Sequence, residues 1–357
     1  MFPHGCGVGD ILKGRNLFLH FKMSKHLRRE QMEQIRKLRK ELMISIISVI
    51  VAAVALSSST YAWYVANNTV KAKTSTITAT TNGFILQITT SDKGGVQHGG
   101  SQESLTAFSK GEVLSPASTD DILNNWYVCK SWNGRGNVVS YYTPDFSTGT
   151  KPGNYKENNQ DYFAYIKSDY ILYTITETGT ADVYLDASDG TPIVVTADTG
   201  TGVSTVINSM RVAITTQKLD ADGKTAIGPE TLRVVYSPQN ETGIGNDEAG
   251  LDGWSCISNV DGVNKPIAAS YPHIYAGNYV DQNNKNWAIT KQRDSEYYTV
   301  PDNSIPIKEK VGYDGVAVHV YIWMEGTDAD CVNGKSIEND DSQYSVTVKF
   351  AGVASGN

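Results

Sequence analysis

Three histidines lie beyond the first 62 residues of this chain, and histidine is the side chain most often used in acid–base and metal chemistry. They are His98, His273 and His319. None belongs to an HExxH motif, in which a helix presents two imidazoles on one face beside a general-base glutamate. His319 lies in a strand-like run on the same face as Tyr321 and Trp323, which indicates a residue packed between strands. The sequence therefore predicts no metal ligands and disfavours a zinc peptidase.

Other catalytic motifs are absent from the 357 residues. There is no GxSxG nucleophile elbow, no phosphate-binding Walker loop and no dinucleotide-binding glycine fingerprint. Cys129 could act as a nucleophile only if the fold brought a distant histidine beside it, and no spacing indicates this. We therefore predict a non-catalytic protein without catalytic residues.

Acidic pairs in predicted turns are the remaining candidates for cation binding. They are Asp220 and Asp222, Asp247 and Glu248, Asp328 and Asp330, and Asp340 and Asp341. Oxygen-rich loops can hold Ca²⁺, but none of these pairs has the EF-hand spacing, and Asp is an ordinary turn former. We expect no cofactor, with calcium left open as the cation that such turns could hold.

The aromatic residues Trp126, Tyr127 and Trp132 form a patch with two interpretations. They either present a platform on which a sugar could stack, or pack beneath a loop. The sequence alone leaves both open and favours burial.

The cysteines are few and widely spaced. They are Cys6, Cys129, Cys256 and Cys331. Three of them, Cys129, Cys256 and Cys331, lie beyond residue 62, so the chain after that residue can form at most one disulfide. Cys256–Cys331 is the pair we predict, although spacing does not fix connectivity, and the alternative is that all three are reduced.

The chain consists of a basic leader, residues 1–62, and a body, residues 63–357, which contains nearly all the candidate residues above. Residues 1–62 hold ten Lys or Arg and four Asp or Glu, whereas the whole chain has a net charge of −7, so the body is acidic. A basic flank favours the cytoplasmic side of a membrane. We expect translation to start at Met23, which would leave residues 1–22 outside the protein. The alternative is that they form a cytoplasmic extension.

The uncharged run Leu42–Leu56 predicts an N-terminal hydrophobic helix. It has about 15 residues, against the roughly 20 that span a bilayer, and this is the length of a signal-peptide core. Thr60 and Ala62 place small residues at −3 and −1, so we predict cleavage after Ala62, with Trp63 as the first mature residue. The competing interpretation keeps residues 42–65 as a membrane anchor.

The body, residues 63–357, is rich in short strand-like runs and turn signals. We predict one all-β domain, an antiparallel β-sandwich or jelly roll. Residues 91–160 and 237–300 lack regular patterns and are predicted to be long loops or insertions. The two clearest strands are 315–324 and 344–350. In each of them alternate residues are apolar.

Three features resemble the TasA/camelysin family of exported proteins in Gram-positive bacteria. The leader ends in SSSTYA before WYVANNTV, which is similar to that family's small-Thr-aromatic-Ala junction. The run YILYTITETGTADVYL resembles its strand–turn–strand, with the turn at Glu177–Thr180. A C-terminal strand follows a long loop in both. The resemblance covers roughly residues 45–90, 168–186 and the C-terminal end, and the long predicted loops depart from the smaller family members.

This resemblance implies an extracellular jelly-roll subunit of a cell-surface or biofilm-matrix fibre. In such fibres the segment after the cleavage site can act as a donor strand that completes the sheet of the next subunit. The matching stretch is Trp63–Ile88, with Ile77, Phe84, Leu86 and Ile88 as candidate anchors. The same stretch could instead be the first strand of the chain's own sheet.

The leading hypothesis is therefore an exported, non-catalytic fibre subunit found outside the cell or on its surface. Its expected partners are signal peptidase, the membrane during export, and further copies of itself or related subunits. The alternative is a single-pass, membrane-anchored ectodomain that binds a glycan or a protein. A camelysin-type metallopeptidase comes third. The acidic body argues against nucleic acid as a partner.

Overall fold

The computed structural model describes most of the body and little of the leader. The described residues are 40, 42–43, 45, 70–75, 86–98, 105–108, 114–132, 138–175, 177–199, 206–238, 271–293, 297–328, 331 and 343–355. The chain divides into two compact units, Met1–Tyr61 and Ala62–Asn357. In the first unit Lys40, Leu42 and Met43 are helical, and most of the predicted hydrophobic helix lies outside the described residues. Among the residues that are described, no helix is long and apolar enough to cross a membrane.

Strands dominate the described part of the second unit, as the sequence predicts. They are β1 (Val70–Ser75), β2 (Leu86–Thr89), β3 (Leu105–Phe108), β4 (Pro116–Asp121), β5 (Asn125–Trp132), β6 (Val138–Tyr142), β7 (Asn154–Glu157), β8 (Gln160–Phe163), β9 (Ile166–Thr174), β10 (Ala181–Asp186), β11 (Ile193–Thr199), β12 (Met210–Leu219), β13 (Ala226–Ser237), β14 (His273–Tyr275), β15 (Ala288–Lys291), β16 (Tyr298–Thr299), β17 (Lys308–Val311), β18 (Val316–Glu325) and β19 (Gln343–Ala354). One short helix, α1 (Val206–Ser209), and two 3-10 turns, Ser91–Lys93 and Phe146–Thr148, accompany them.

Two large sheets form the molecule's layers. One has the order β16-β15-β10-β19-β1-β3, with β11 also on β19 and β17 on β10. The other has the order β14-β13-β12-β18-β4-β5-β6, and β9 joins β18 to β2. Val183 and Phe350 from the first sheet share one buried cluster with Val212 and Val320 from the second. The predicted all-β sandwich is therefore confirmed, with its core between the two sheets.

Strand β18 shows how the alternating sequence produces this core. Val318, Val320 and Ile322 point into the space between the sheets and are fully buried there. Tyr321 and Trp323 point the other way and join a second cluster on the outer face. Successive side chains of a strand face opposite sides, so a strand covered on both sides becomes apolar throughout. All ten residues of β18 are buried.

Residues 91–160, predicted to be long loops or an insertion, contain strands where the structure describes them, so the interpretation as loops is corrected. Their described part contains β3 to β7, and β4, β5 and β6 extend the nine-stranded sheet. The pairing register shifts between Thr119 and Asp121, and again between Cys129 and Ser131. Such bulges insert an extra residue and break the period of two, so the alternation that would identify these strands is missing. In residues 237–300 the described part includes the short strands β14, β15 and β16.

The strand pairs are mostly antiparallel, as predicted for the sandwich, but not all of them are. Four pairs are parallel, namely β1 with β19, β4 with β18, β10 with β15, and β13 with β14. Parallel neighbours require a crossover connection instead of a tight hairpin. Long segments connect the members of each of these pairs, and their lengths do not reveal the direction of pairing.

Replacing Ile322 by Ala tests the burial of β18. The side chain is 0% exposed in the main core, and its truncation leaves a cavity, so we expect the free energy of unfolding to fall by about 2–5 kcal/mol. The control Ile175→Ala changes a side chain that is 39% exposed and should cost less than about 0.5 kcal/mol. Equilibrium denaturation compares the two variants, and equal losses would contradict this packing.

Candidate functional site

The N-terminal strand β1 occupies a slot between the C-terminal strand and β3. It pairs in parallel with β19, from Val70 opposite Tyr344 to Ser75 opposite Lys349. On its other side it pairs antiparallel with β3. Strands β10 and β11 lie along the opposite edge of β19. The first described strand of the body and its last strand are therefore neighbours in one sheet.

The predicted donor-strand residues fall into two groups. Leu86 and Ile88 lie in β2, which pairs antiparallel with β9, and their exposures are 0% and 1%. Both belong to the core of their own chain. Ile77 and Phe84 lie outside the described residues, as do the cleavage-site residues Thr60, Ala62 and Trp63.

Strands β1 and β2 belong to different sheets, although they follow each other in sequence. The chain passes from the eight-stranded sheet to the nine-stranded sheet between Ser75 and Leu86. The side chains of β2 are held in the core, whereas the backbone of β1 is held by ladder pairing with β19 and β3.

The outer face of the nine-stranded sheet carries a polar network centred on His319. This residue stands directly opposite Asp169 on β9 and Thr215 on β12. Its Nδ1 lies 2.5 Å from Asp169 Oδ1, and its Nε2 lies 3.1 Å from Gln217 Oε1. With 4% exposure and both ring nitrogens engaged, His319 packs between strands as the sequence predicts.

Glu230 on β13 is the acceptor at the centre of the same face. Lys167 Nζ lies 2.8 Å from Oε2, the Tyr321 hydroxyl donates to Oε1 at 2.9 Å, and the Thr215 hydroxyl donates to the same oxygen. Burial would raise the pKa of Glu230, but the hydrogen bonds from Lys167 and Thr215 outweigh it and lower the pKa. Burial and the adjacent Glu230 charge raise the pKa of Tyr321. The ionised carboxylate of Glu230 thus accepts a hydrogen bond from the neutral phenol of Tyr321. Because Lys167, Thr215, Glu230 and Tyr321 come from β9, β12, β13 and β18, the network holds these four strands in register.

A second buried polar group joins β12 to the end of β18. Arg211 Nη2 lies 2.8 Å from Asp328 Oδ2, and the two side chains are 1% and 0% exposed. The Trp323 indole donates to Glu325 at 3.0 Å, and burial raises the pKa of this carboxyl despite the attraction of Arg211. Such a pair fixes geometry more than it adds stability.

Cys331 lies beside this group as a buried free thiol. Burial raises its pKa well above the ordinary value, which keeps the sulfur protonated and a poor nucleophile. Its predicted partner, Cys256, lies outside the described residues, so the disulfide stays a prediction.

One member of the aromatic patch, Trp126, is packed inside the protein. Trp126 is 2% exposed, stacks on Tyr165 with ring centres 4.4 Å apart, and meets Trp323 edge-on at 5.5 Å. Tyr127 packs edge-on against Tyr141. The side chain of Trp132 lies outside the described residues. Burial, which the sequence favours, is confirmed for Trp126.

Two residues of the predicted acidic turns, Asp222 and Asp328, use their carboxylates within the chain. The predicted cation-binding candidates Asp247, Glu248, Asp330, Asp340 and Asp341 lie outside the described residues. Asp222 accepts hydrogen bonds from the backbone of Lys224 and Thr225 and from the Thr225 hydroxyl. These bonds, the hydroxyl's foremost, lower the pKa of Asp222 to about 2. Asp328 is paired with Arg211. In the described part of the chain, no three His, Cys, Asp or Glu side chains are grouped to hold a metal ion.

No protein-family model matches this chain, and no curated protein or solved structure matches it either.

Replacing Glu230 by Gln tests the polar network. Because the fold lowers the pKa of Glu230 from its ordinary value, its stabilising effect is present above the unfolded-state pKa of roughly 4.3. The effect is lost as the pH falls towards the folded-state pKa. We expect the variant to lose about 1–3 kcal/mol of unfolding free energy at pH 7, and a smaller difference from the wild type at acidic pH.

The matched control is Glu177→Gln, which changes an exposed glutamate in a turn. Denaturant unfolding at several pH values would compare the three proteins. A loss in Glu230→Gln that equals the control, or that grows as the pH falls, would contradict the role of Glu230.

Proposed function

We propose that this protein is an exported, non-catalytic structural subunit that assembles on the cell surface or in an extracellular matrix. Copies join when strand β1 of one chain occupies the slot between β19 and β3 of the next. The observation that supports this most is the position of β1, paired on both sides by its backbone. The strand begins seven residues after Trp63, the predicted new N-terminus.

Backbone pairing makes such an exchange nearly neutral in energy. When β1 leaves, the edge of β19 from Tyr344 to Lys349 loses its partner. Unpaired strand edges are templates for another strand. The β1 strand of a second copy restores the same ladder with the same side chains, so polymers form without a new surface.

The exchanged segment in this proposal ends before β2. Leu86 and Ile88 are fully buried against β9 in their own chain. Removing them would open the main core, at roughly 2–5 kcal/mol for each large side chain. In this arrangement β2 is the fixed point from which residues 63–75 reach the neighbouring subunit. The anchors expected at Leu86 and Ile88 would then hold the donor chain's own fold.

In this proposal, cleavage during export starts the exchange of β1. Signal peptidase would cut after Ala62 and free the segment that leads into β1. An uncleaved leader would keep that segment tied to the membrane, next to a basic flank on the cytoplasmic side. Cleavage, release outside the cell and assembly would then follow one another as one sequence of events.

Replacing Ala72 by Pro tests the exchange. Ala72 stands opposite Val346 on β19 and Ala107 on β3. Proline lacks the N–H and is excluded from strands paired on both sides, so the variant should form no polymers visible by electron microscopy of the secreted fraction. Ala72→Ser keeps the backbone donor and should polymerise like the wild type. Polymers from the proline variant would contradict the proposal.

Replacing Ala62 by Phe tests the release step. Signal peptidase requires a small residue at this position, so the variant should stay in the membrane fraction with its leader attached and form no polymers. Ala66→Phe, beyond the cut, should be processed normally. Mass spectrometry of the N-terminus reads both outcomes. A wild-type protein found intact in the membrane would favour the anchored ectodomain instead.

A further inference from the structure

A groove opens at one end of the nine-stranded sheet. Its three walls are the Val96–His98 loop, the turn between β12 and β13, and the segment Tyr313–Gly315. The cavity measures about 710 Å³, which lies within the range that small-molecule sites occupy. None of the residues that line the groove belongs to β1 or to the polar network around His319 and Glu230.

The walls of the groove are held together by direct contacts between the three segments. The Val96 N–H donates to Gly223 O at 2.8 Å. The Gln97 side chain donates to Thr174 O at 2.9 Å and to Tyr313 O at 3.3 Å. Gly95 lies so close to Gly223 that a Cβ would come within 2.5 Å of its carbonyl oxygen. The cavity is therefore built into the fold before any ligand arrives.

The lining combines an aromatic ring with polar groups of both kinds. Tyr313 is 37% exposed and offers part of its ring at the surface. Asp220 and Asp314 supply acceptors, and Lys218 supplies a donor. His98 turns Nδ1 to Val96 O at 2.9 Å, which leaves Nε2 directed away from that contact. Donors, acceptors and an aromatic ring together are what a molecule rich in hydroxyl groups requires.

The charged side chains that line the groove limit the classes of ligand it can bind. Three aspartates line the groove against one lysine, so phosphates and carboxylates are repelled. Asp222 is occupied by its own turn, and the described residues contain no metal-binding group. An uncharged saccharide fits, because carboxylates accept its hydroxyls and an aromatic ring can pack against its C–H face.

We infer that this groove binds an uncharged oligosaccharide, with Tyr313 as the stacking ring and Asp314 as a hydroxyl acceptor. The inference does not depend on the exchange of β1, since the groove is formed by segments of one chain. It would allow a subunit, free or assembled, to hold a glycan.

Calorimetric titration of the full-length chain with cellotriose, maltotriose and the trimer of N-acetylglucosamine tests the inference. The protein should be held in a detergent without a sugar headgroup. At least one trisaccharide should bind with a Kd below about 10 mM. Tyr313→Ala and Asp314→Asn should each weaken that binding about tenfold or more. Tyr297→Ala, which changes an exposed tyrosine that does not line the groove, should leave the affinity unchanged.

Three outcomes would overturn the inference. The first is that none of the three trisaccharides binds to a chain whose thermal unfolding is cooperative. The second is that one binds equally well to the Tyr313 and Asp314 variants. The third is that Ca²⁺ alone binds in an Asp314-dependent manner while no trisaccharide does, which would make the groove a cation site. Cooperative melting of each variant separates lost binding from lost folding.

Discussion

Strand β18 lies between two packed layers, and each of its ten residues is buried. A buried polar group without a partner costs about 1–3 kcal/mol, so every polar side chain on this strand needs a partner within the fold. His319 meets Asp169 and Gln217, and Glu325 meets Trp323. Because Asp169 and Gln217 lie on the two strands that flank β18, polar contacts as well as apolar packing fix the register of the nine-stranded sheet.

The first two strands of the body belong to different sheets. Strand β2 contributes Leu86 and Ile88 to the same core as β18. Strand β1 joins the other sheet, where ladder pairing with β19 and β3 positions it. A β2 packed in the core and a β1 paired along both edges of its backbone suit a subunit that must be stable alone and yet exchange one strand. This arrangement is the physical basis for the function we propose.

The sequence predicted those parts of the fold whose evidence is local. The alternation at residues 344–350 placed Val346, Val348 and Phe350 on one buried face, as found, and the position of His319 within its strand indicated cross-strand packing. Strands β4 to β6 were missed because bulges interrupt their period. The Glu230 network was missed because Lys167, Thr215 and Glu230 come together only through the sheet register, and the groove needs three segments that are distant in sequence.

Cross-linking of β1 to β19 tests the central claim most directly. Lys73 and Thr347 are register partners on neighbouring strands, about 4.8 Å apart, within reach of a disulfide. Polymers of a Lys73→Cys, Thr347→Cys variant should be oxidised and separated on a non-reducing gel, beside each single-cysteine variant. Strand exchange predicts a ladder of covalently joined chains only in the double variant. A double variant that cross-links solely within single chains would contradict the account.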